Sequence, residues 1–248
     1  MLKHRVIPIL LLQNDGLIKT TKFKDPKYVG DPINAIRIFN DKEVDELVFL
    51  DILASKEKRG IDFDLIENLA SECFMPLCYG GGVKDVDSIR RILKLGVEKV
   101  SLNSAAFENP DFVKEAVKLF GSSTIVISID VKKNLWGTYE VWTNGGTKNT
   151  KLNPLEAAKK MEDLGAGEIL LNSIDKDGTM LGYDNKLIDH VSRSISLPLI
   201  AVGGAGKTSD FSAAISSGAS AVAAGSMFVF HGKHKAVLIT YPDRKELW

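Results

Sequence analysis

The chain has 248 residues, 44% of them apolar and 26% charged, a balance that fits a globular protein and excludes disordered, collagen-like and fibrous chains. Its 32 basic and 32 acidic residues cancel, so the positive surplus with which a nucleic-acid binder neutralises phosphates is missing. Two cysteines, Cys73 and Cys78, are too few for a disulfide scaffold or a structural zinc site.

At the start, Lys3, His4 and Arg5 precede an apolar run over residues 6–12, which imitates a short signal peptide. The run ends in Gln13-Asn14-Asp15 with no small-x-small cleavage site, and no later stretch approaches the roughly 20 apolar residues of a membrane span. The expectation is a soluble, cytoplasmic protein without membrane or nucleic-acid partners. Further β-branched or apolar runs follow at 47–52, 77–79, 100–103, 124–131, 168–172, 197–202 and 221–224. Helical spacing fills the intervals, as in Phe112, Val113, Ala116, Val117 and Phe120, or Leu155, Ala158, Met161 and Leu164. Asp31-Pro32, Asn109-Pro110 and Asn153-Pro154 read as helix starts, an N-cap acceptor followed by a proline whose missing N–H costs nothing there. Gly121, Gly165 and Gly218 read as helix stops.

Strand–helix alternation of this kind means an α/β protein with a parallel sheet. A repeat narrows it: Pro76-Leu77 and Gly82 recur as Pro198-Leu199 and Gly204, 122 residues later. The same spacing relates Glu46 to Glu168, Gly81 to Gly203, Gly96 to Gly218, Val100 to Val222 and Ser104 to Ser226. The prediction is one domain over 1–248, a (β/α)8 barrel of two similar halves at about 1–122 and 123–248; an open flavodoxin-like sheet with coincidental glycines is the competing arrangement. In such barrels the chemistry sits on the loops after the strands, often with phosphate bound after strands seven and eight. Gly203-Gly204-Ala205-Gly206 and Gly225-Ser226 occupy those loops, and the repeat places Gly80-Gly81-Gly82 with Asn103-Ser104 opposite. Glycine-rich turns bring backbone N–H groups onto an anion, so the pair predicts a long phosphorylated small molecule with a phosphate at each end.

Gly80-Gly81-Gly82, residues 101–106 (SLNSAA), residues 165–171 (GAGEILL), residues 175–179 (DKDGT) and Gly203-Gly204-Ala205-Gly206 together resemble the cyclase subunit of imidazole glycerol phosphate synthase, the HisF family of histidine biosynthesis. The resemblance implies a cyclase/lyase-type synthase subunit that docks a HisH-like glutaminase on the N-terminal face of its barrel, passes ammonia through the barrel, and needs no cofactor. It implies phosphate and substrate contacts from Gly81, Gly82, Asn103, Ser104, Asp177, Gly178, Gly203, Gly204, Gly225 and Ser226. Lys19, Asp51 and Asn172 match further active-site positions, Asn172 standing where the family usually has threonine. Of the two aspartates that serve the family as acid and base, Asp130 is present. The other falls on Leu11, or on Leu12 when counted back from Asp15-Gly16, and neither leucine can exchange a proton, so intrinsic cyclase chemistry is not expected.

Arg5, Glu46, Lys99 and Glu168 stand at the starts of strands one, two, four and six, with a parity that points them inward. Buried charges need partners, and in the family this ring is the ammonia gate. The four histidines, His4, His190, His231 and His234, form no ligand set with carboxylates, so no metal is expected. The tail from residue 231 departs from the family's last helix and resembles that of cyclase-like relatives from surface-glycan (lipopolysaccharide) clusters. Those supply ammonia to a separate N-acetyl sugar amidotransferase. Three readings follow: an ammonia-conducting subunit, a genuine histidine-pathway cyclase using Asp130 with another acid such as Asp51, or an unrelated phosphate-sugar isomerase on the same barrel.

Overall fold

A computed structural model describes residues 4–247; the first three residues of the signal-like start and Trp248 lie outside the described residues. Eight parallel strands, β1 (Arg5–Gln13), β2 (Leu47–Asp51), β3 (Leu77–Gly80), β4 (Lys99–Leu102), β5 (Ile125–Lys133), β6 (Glu168–Ser173), β7 (Leu199–Val202) and β8 (Ala221–Ala224), pair in chain order. β8 pairs with β1 to close the ring, so the sheet is a (β/α)8 barrel and the open alternative is excluded. Each predicted run holds its strand to within two residues.

Seven helices cover the outside: α1 (Pro32–Asp41), α2 (Phe63–Glu72), α3 (Val86–Lys94), α4 (Pro110–Phe120), α5 (Pro154–Asp163), α6 (Asn185–Ser192) and α7 (Thr208–Ser216). Asp31 and Asn153 cap α1 and α5 as expected, accepting from the N–H groups of Asn34 and Leu155. Asn109 does not cap α4 with its side chain. A short preceding helix, Ser104–Glu108, ends on it, and its own N–H is spent on the carbonyl of Ala105.

Because helices face the strands outside and other strands face them inside, the strands carry apolar residues on both faces. Phe39, Phe49, Phe211, Leu12 and their neighbours fill the layer between sheet and helices with no exposure. At about 1.5–3 kcal/mol per buried large side chain this layer dominates the stabilisation. A second, separate cluster fills the barrel itself: Ile7, Ile9, Val48, Cys78, Val126, Leu170, Ile200, Ala221 and Ala223. The half-barrel repeat survives in three dimensions. A Cβ on Gly81 would lie 2.3 Å from the carbonyl oxygen of Asp51, and one on Gly203 would lie 2.8 Å from that of Ser173. Both glycines hold positive φ, and each crowds the end of the barrel strand immediately before its own.

Two features had no strand signal in the sequence. A hairpin of Gly16–Thr21 and Lys24–Gly30 follows β1, and Tyr139–Thr143 with Lys148–Asn149 extends the sheet after β5. Among the described residues no α-helix follows β8. A 3-10 turn (Ser226–Phe228) leads to a small hairpin and a tail, which the Tyr241 hydroxyl fastens by donating to the Val6 carbonyl at 2.9 Å while its ring lies 5.1 Å from that of Phe228. Among the described residues no helix is long and apolar enough to cross a membrane.

Candidate functional site

Strand parity sorts the barrel lumen into levels. On β1, Arg5, Ile7, Ile9 and Leu11 point inward; on β4 Lys99 and Ser101 do, with Asn103 next in the same parity beyond its end, and on β5 Val126, Ser128 and Asp130. At the floor, Arg5 reaches both Glu46 and Glu168 through its two Nη atoms, and Lys99 Nζ donates to Glu46 Oε2 at 2.9 Å and to Glu168 Oε2 at 3.1 Å. Each carboxylate thus bridges both cations in a closed, neutral circuit across the axis. The carboxylates are buried and the cations half-buried. Burial works against the charge of Arg5 and Lys99, but Glu46 and Glu168 outweigh it and hold both groups above their ordinary values.

Above the apolar filling the lumen opens into a cavity of about 190 Å³ at the carboxyl ends of the strands. Leu11, Leu50, Leu170 and Val202 form one part of its wall, and Ser101, Ser128, Asn103, Asp130 and Asn172 form the other. Leu12, by contrast, is fully buried on the outer face of β1. Of the two leucines, Leu11 is the one that meets the cavity. Asp130 accepts hydrogen bonds from Asn172 Nδ2 at 3.1 Å and Asn103 Nδ2 at 3.2 Å, with no cation among its partners. Burial pushes its carboxyl up from 3.8 to about 7, with the Asn172 hydrogen bond opposing and the Asp177 charge adding to the rise. The amide oxygen of Asn172, Oδ1, is buried without a partner and lies 2.8 Å from where a Cβ on Gly203 would stand.

The other carboxylates at the mouth are engaged. Asp51 Oδ1 accepts from the N–H groups of Leu53 and Ala54, both at 3.1 Å, and from Arg59 Nη2 at 2.9 Å. Asp177 accepts from the Thr20 hydroxyl at 3.1 Å and the Phe23 N–H at 3.4 Å, while its carbonyl takes the N–H of Lys22. Gly178 adjoins it with φ +67°, and a Cβ there would lie 2.0 Å from the Thr20 carbonyl oxygen. Asp177 and Gly178 therefore hold the first hairpin down over the mouth, besides lining it. Burial raises the Asp177 carboxyl, against those two hydrogen bonds and the nearby Lys19.

The two glycine cradles are unequal. Gly80, Gly81, Gly82, Asn103 and Ser104 border the large cavity. Gly178, Gly203, Gly204, Gly225 and Ser226 border a second one of about 40 Å³. Lys19 reaches into the latter, its Nζ donating to the Ile9 carbonyl at 2.5 Å and lying 2.6 Å from where a Cβ on Gly225 would stand. Stripped of water, its amine falls to about 8, with Asp177 pulling the other way. The sequence reading did not name the wall of Leu50, Leu170 and Val202 or the serine Ser128 as site residues. Strand parity carried along each strand contains them: Leu50 shares the parity of Glu46, Leu170 that of Glu168 and Ser128 that of Asp130. Among the described residues no group of three or more His, Cys, Asp or Glu side chains is placed to hold a metal ion.

Residues 5–235 match the family model described as "Histidine biosynthesis protein". The chain is 52% identical over 248 residues to a protein of Pseudomonas aeruginosa (100% of this chain, 99% of that one) and 51% identical over 251 residues to one of Vibrio vulnificus (99% and 95%). Both are named, provisionally, as subunits of imidazole glycerol phosphate synthase. It is also 46% identical over 231 residues to the imidazole glycerol phosphate synthase subunit HisF of a Hydrogenobaculum species, covering 93% of this chain and 92% of that one. With the barrel, the paired cradles and the matches running through both halves, the chain belongs to the HisF family of histidine-biosynthesis proteins.

Proposed function

We infer that this barrel is the ammonia-conducting subunit of a glutamine-dependent complex and does not itself carry out the cyclase reaction. One observation carries the reading: Leu11 lies in the mouth cavity at the position where the family resemblance puts the second acid–base aspartate. Asp130 then lacks a proton partner, since Asp51 is bound by three donors and Asp177 anchors the hairpin. Acid–base groups contribute typically about 10²–10⁴-fold each, so a lone Asp130 leaves little of the family chemistry. The floor, by contrast, keeps everything the gate needs. A HisH-like glutaminase on the N-terminal face would release ammonia at the Arg5–Glu46–Lys99–Glu168 circuit. Above it the small side chains of Cys78, Ala221 and Ala223 lie within the packed layer of Ile7, Ile9, Val48, Val126, Leu170 and Ile200, through which ammonia would pass to reach Ser101 and Ser128 at the mouth. The tail without a terminal helix fits the surface-glycan relatives, whose ammonia goes to an N-acetyl sugar amidotransferase that turns an acetamido into an acetamidino group.

A second reading, a histidine-pathway cyclase, is favoured by Asp130 itself: a buried carboxyl held near 7 is a common mark of an active site. One experiment separates them. The purified protein is given excess ammonium and the bis-phosphate formimino ribonucleotide of the histidine pathway, and glutaminase binding is measured alongside. The conducting role predicts glutaminase binding without turnover, a loss of glutamine-driven ammonia delivery in Arg5→Ala and Lys99→Ala, and little change in Asp130→Asn. Turnover by the unaltered protein, or loss of delivery in Asp130→Asn alone, restores the cyclase.

A further inference from the structure

β5 does not stop at the mouth. Beyond Asp130 it rises through Lys132 and Lys133 into a turn that presents Leu135 at 101% and Trp136 at 89% exposure. Large apolar side chains this bare are uncommon on a soluble surface and mark contact sites when they occur together. The turn holding them is fixed. Asn134 Oδ1 accepts from the N–H groups of Trp136 at 2.9 Å and Thr138 at 3.0 Å, Asn134 Nδ2 donates to Glu140, and the Asn134 N–H donates to the Thr138 carbonyl. The base is fixed too: the Tyr139 hydroxyl donates to Asp184 Oδ1 at 2.9 Å, Lys133 Nζ lies 3.5 Å from Asp184 Oδ2, and the Lys133 N–H donates to Asp175. Those bonds bring in the loop before α6, which carries another bare apolar residue, Leu181, at 78% exposure. Neither Leu135 nor Trp136 lines the two cavities at the mouth, so the tip stands apart from the site described above.

We propose that the Leu135–Trp136 tip is the docking element for the enzyme that consumes the ammonia, inserted into an apolar pocket ringed by carboxylates. The inference rests on the conducting role above, and two observations select this occupant. The tip stands on the strand that carries Asp130, at the end of the barrel where the lumen opens, so a protein seated on it covers the exit. Of the lysines on the hairpin around it, Lys133 pairs with Asp184 and Lys148 with Glu108, while Lys132 and Lys151 stand on a hairpin whose one surface carboxylate is Glu140, so a complementary partner surface places carboxylates opposite Lys132 and Lys151. Tryptophan is the residue most enriched among those that dominate interface energy, and a pre-ordered turn loses little freedom on binding.

The test uses the complex of this chain with its glutaminase, titrated with the purified sugar amidotransferase of the same organism. Leu135→Ser/Trp136→Ala is compared with the unaltered chain and with Leu119→Ser, an exposed apolar change at the end of α4. Both altered side chains of the double variant lie in solvent, so its melting temperature should match the parent's. The expected result is binding weakened at least about tenfold in the double variant only, with glutamine-driven amidation falling and ammonium-driven amidation unchanged. Equal binding by all three proteins overturns the docking role and leaves conduction intact. So does a concentration-dependent dimer of this chain that Trp136→Ala dissolves, which makes the tip a self-association surface. If the amidotransferase binds none of them, docking is overturned, and glutamine-driven amidation in the mixture then decides conduction separately: its persistence means ammonia crosses through bulk water, and its absence removes the conducting role as well.

Discussion

The floor and the mouth of this barrel both bury charge, and they solve the problem in opposite ways. At the floor, two carboxylates and two cations share hydrogen bonds in a circuit with no net charge, and the carboxylates hold both cations above their ordinary values despite burial. At the mouth, Asp130 has only two neutral amide groups for partners, and it meets burial by keeping its proton up to about pH 7. In the conducting role proposed above, the first arrangement serves as the gate, and the second is the remainder of an acid–base pair whose other position holds Leu11.

The sharpest way to break this comparison is through the two leucines at the mouth. Leu12→Asp puts an unpaired carboxylate into the fully buried outer layer and should cost about 4 kcal/mol or more, enough to leave no folded protein. Leu11→Asp places the same group against the cavity and should cost no more than about 2 kcal/mol. Urea denaturation of both variants ranks them; equal losses would mean that Leu11 does not face the lumen. Next in size is Lys99→Met, which leaves Glu46 and Glu168 sharing Arg5 alone. Breaking a buried ion pair costs about 3–5 kcal/mol, and the partial exposure of both cations puts this case at the low end, about 3 kcal/mol. Adding Glu46→Gln returns the floor to neutrality and should recover part of the loss, a coupling that independent surface charges would not show.

How much of this was legible beforehand follows from which forces act locally. The eight strands, the glycine stops and the 122-residue repeat are short-range patterns, and parity was enough to turn Arg5, Glu46, Lys99 and Glu168 inward. Counting from the two ends of the loop before Asp15-Gly16 left Leu11 and Leu12 open, because a shift of one residue flips the face, although the parity that turns Arg5, Ile7 and Ile9 inward continues to Leu11. The structure decides it through the pairing of β1 with β2, which sets Leu11 beside Leu50 and Leu12 beside Asp51. At Asn109 the Phe112 N–H, the group a side-chain cap would bind, goes to the Asn109 backbone carbonyl instead. The first hairpin escaped notice since its outer strand, Lys24–Gly30, is mostly exposed and polar; it is held by Asp177 and Gly178, more than 140 residues away in the chain.

Asp130→Asn tests the mouth half of the comparison with a gain in stability. Unfolded, the carboxyl titrates near 3.8; folded, near 7. Between those values the folded chain binds the extra proton, so stability falls as pH rises through the window and the full cost is present above pH 7. The amide variant carries no such cost. It also need not lose hydrogen bonds, since Asn172 can turn its unpartnered Oδ1 toward the new Nδ2 group. Melting temperatures should show Asp130→Asn more stable than the parent at pH 8, by up to about 4 kcal/mol, and nearly equal to it at pH 4. A difference that persists at pH 4 would point to packing and not to the buried charge.

The smallest effect concerns the lesser cradle. Gly225→Ala introduces a methyl group 2.6 Å from the present position of Lys19 Nζ and 3.1 Å from the Ile9 carbonyl that Nζ binds. The obstructed atom is the end of a flexible side chain, so the chain can yield by moving the amine toward water, and the stability change should stay within about 1 kcal/mol. The amine, however, should change its titration. It sits near 8 now because burial removes its hydration; displaced into solvent, it should return toward the ordinary lysine value of about 10.4. Following Lys19 by NMR of reductively methylated protein, with Lys19→Arg to assign the resonance, reads this directly. A resonance that still titrates near 8 in Gly225→Ala would show that the amine stays in the cradle and that the neighbouring backbone yields instead, making this end of the mouth softer than the floor.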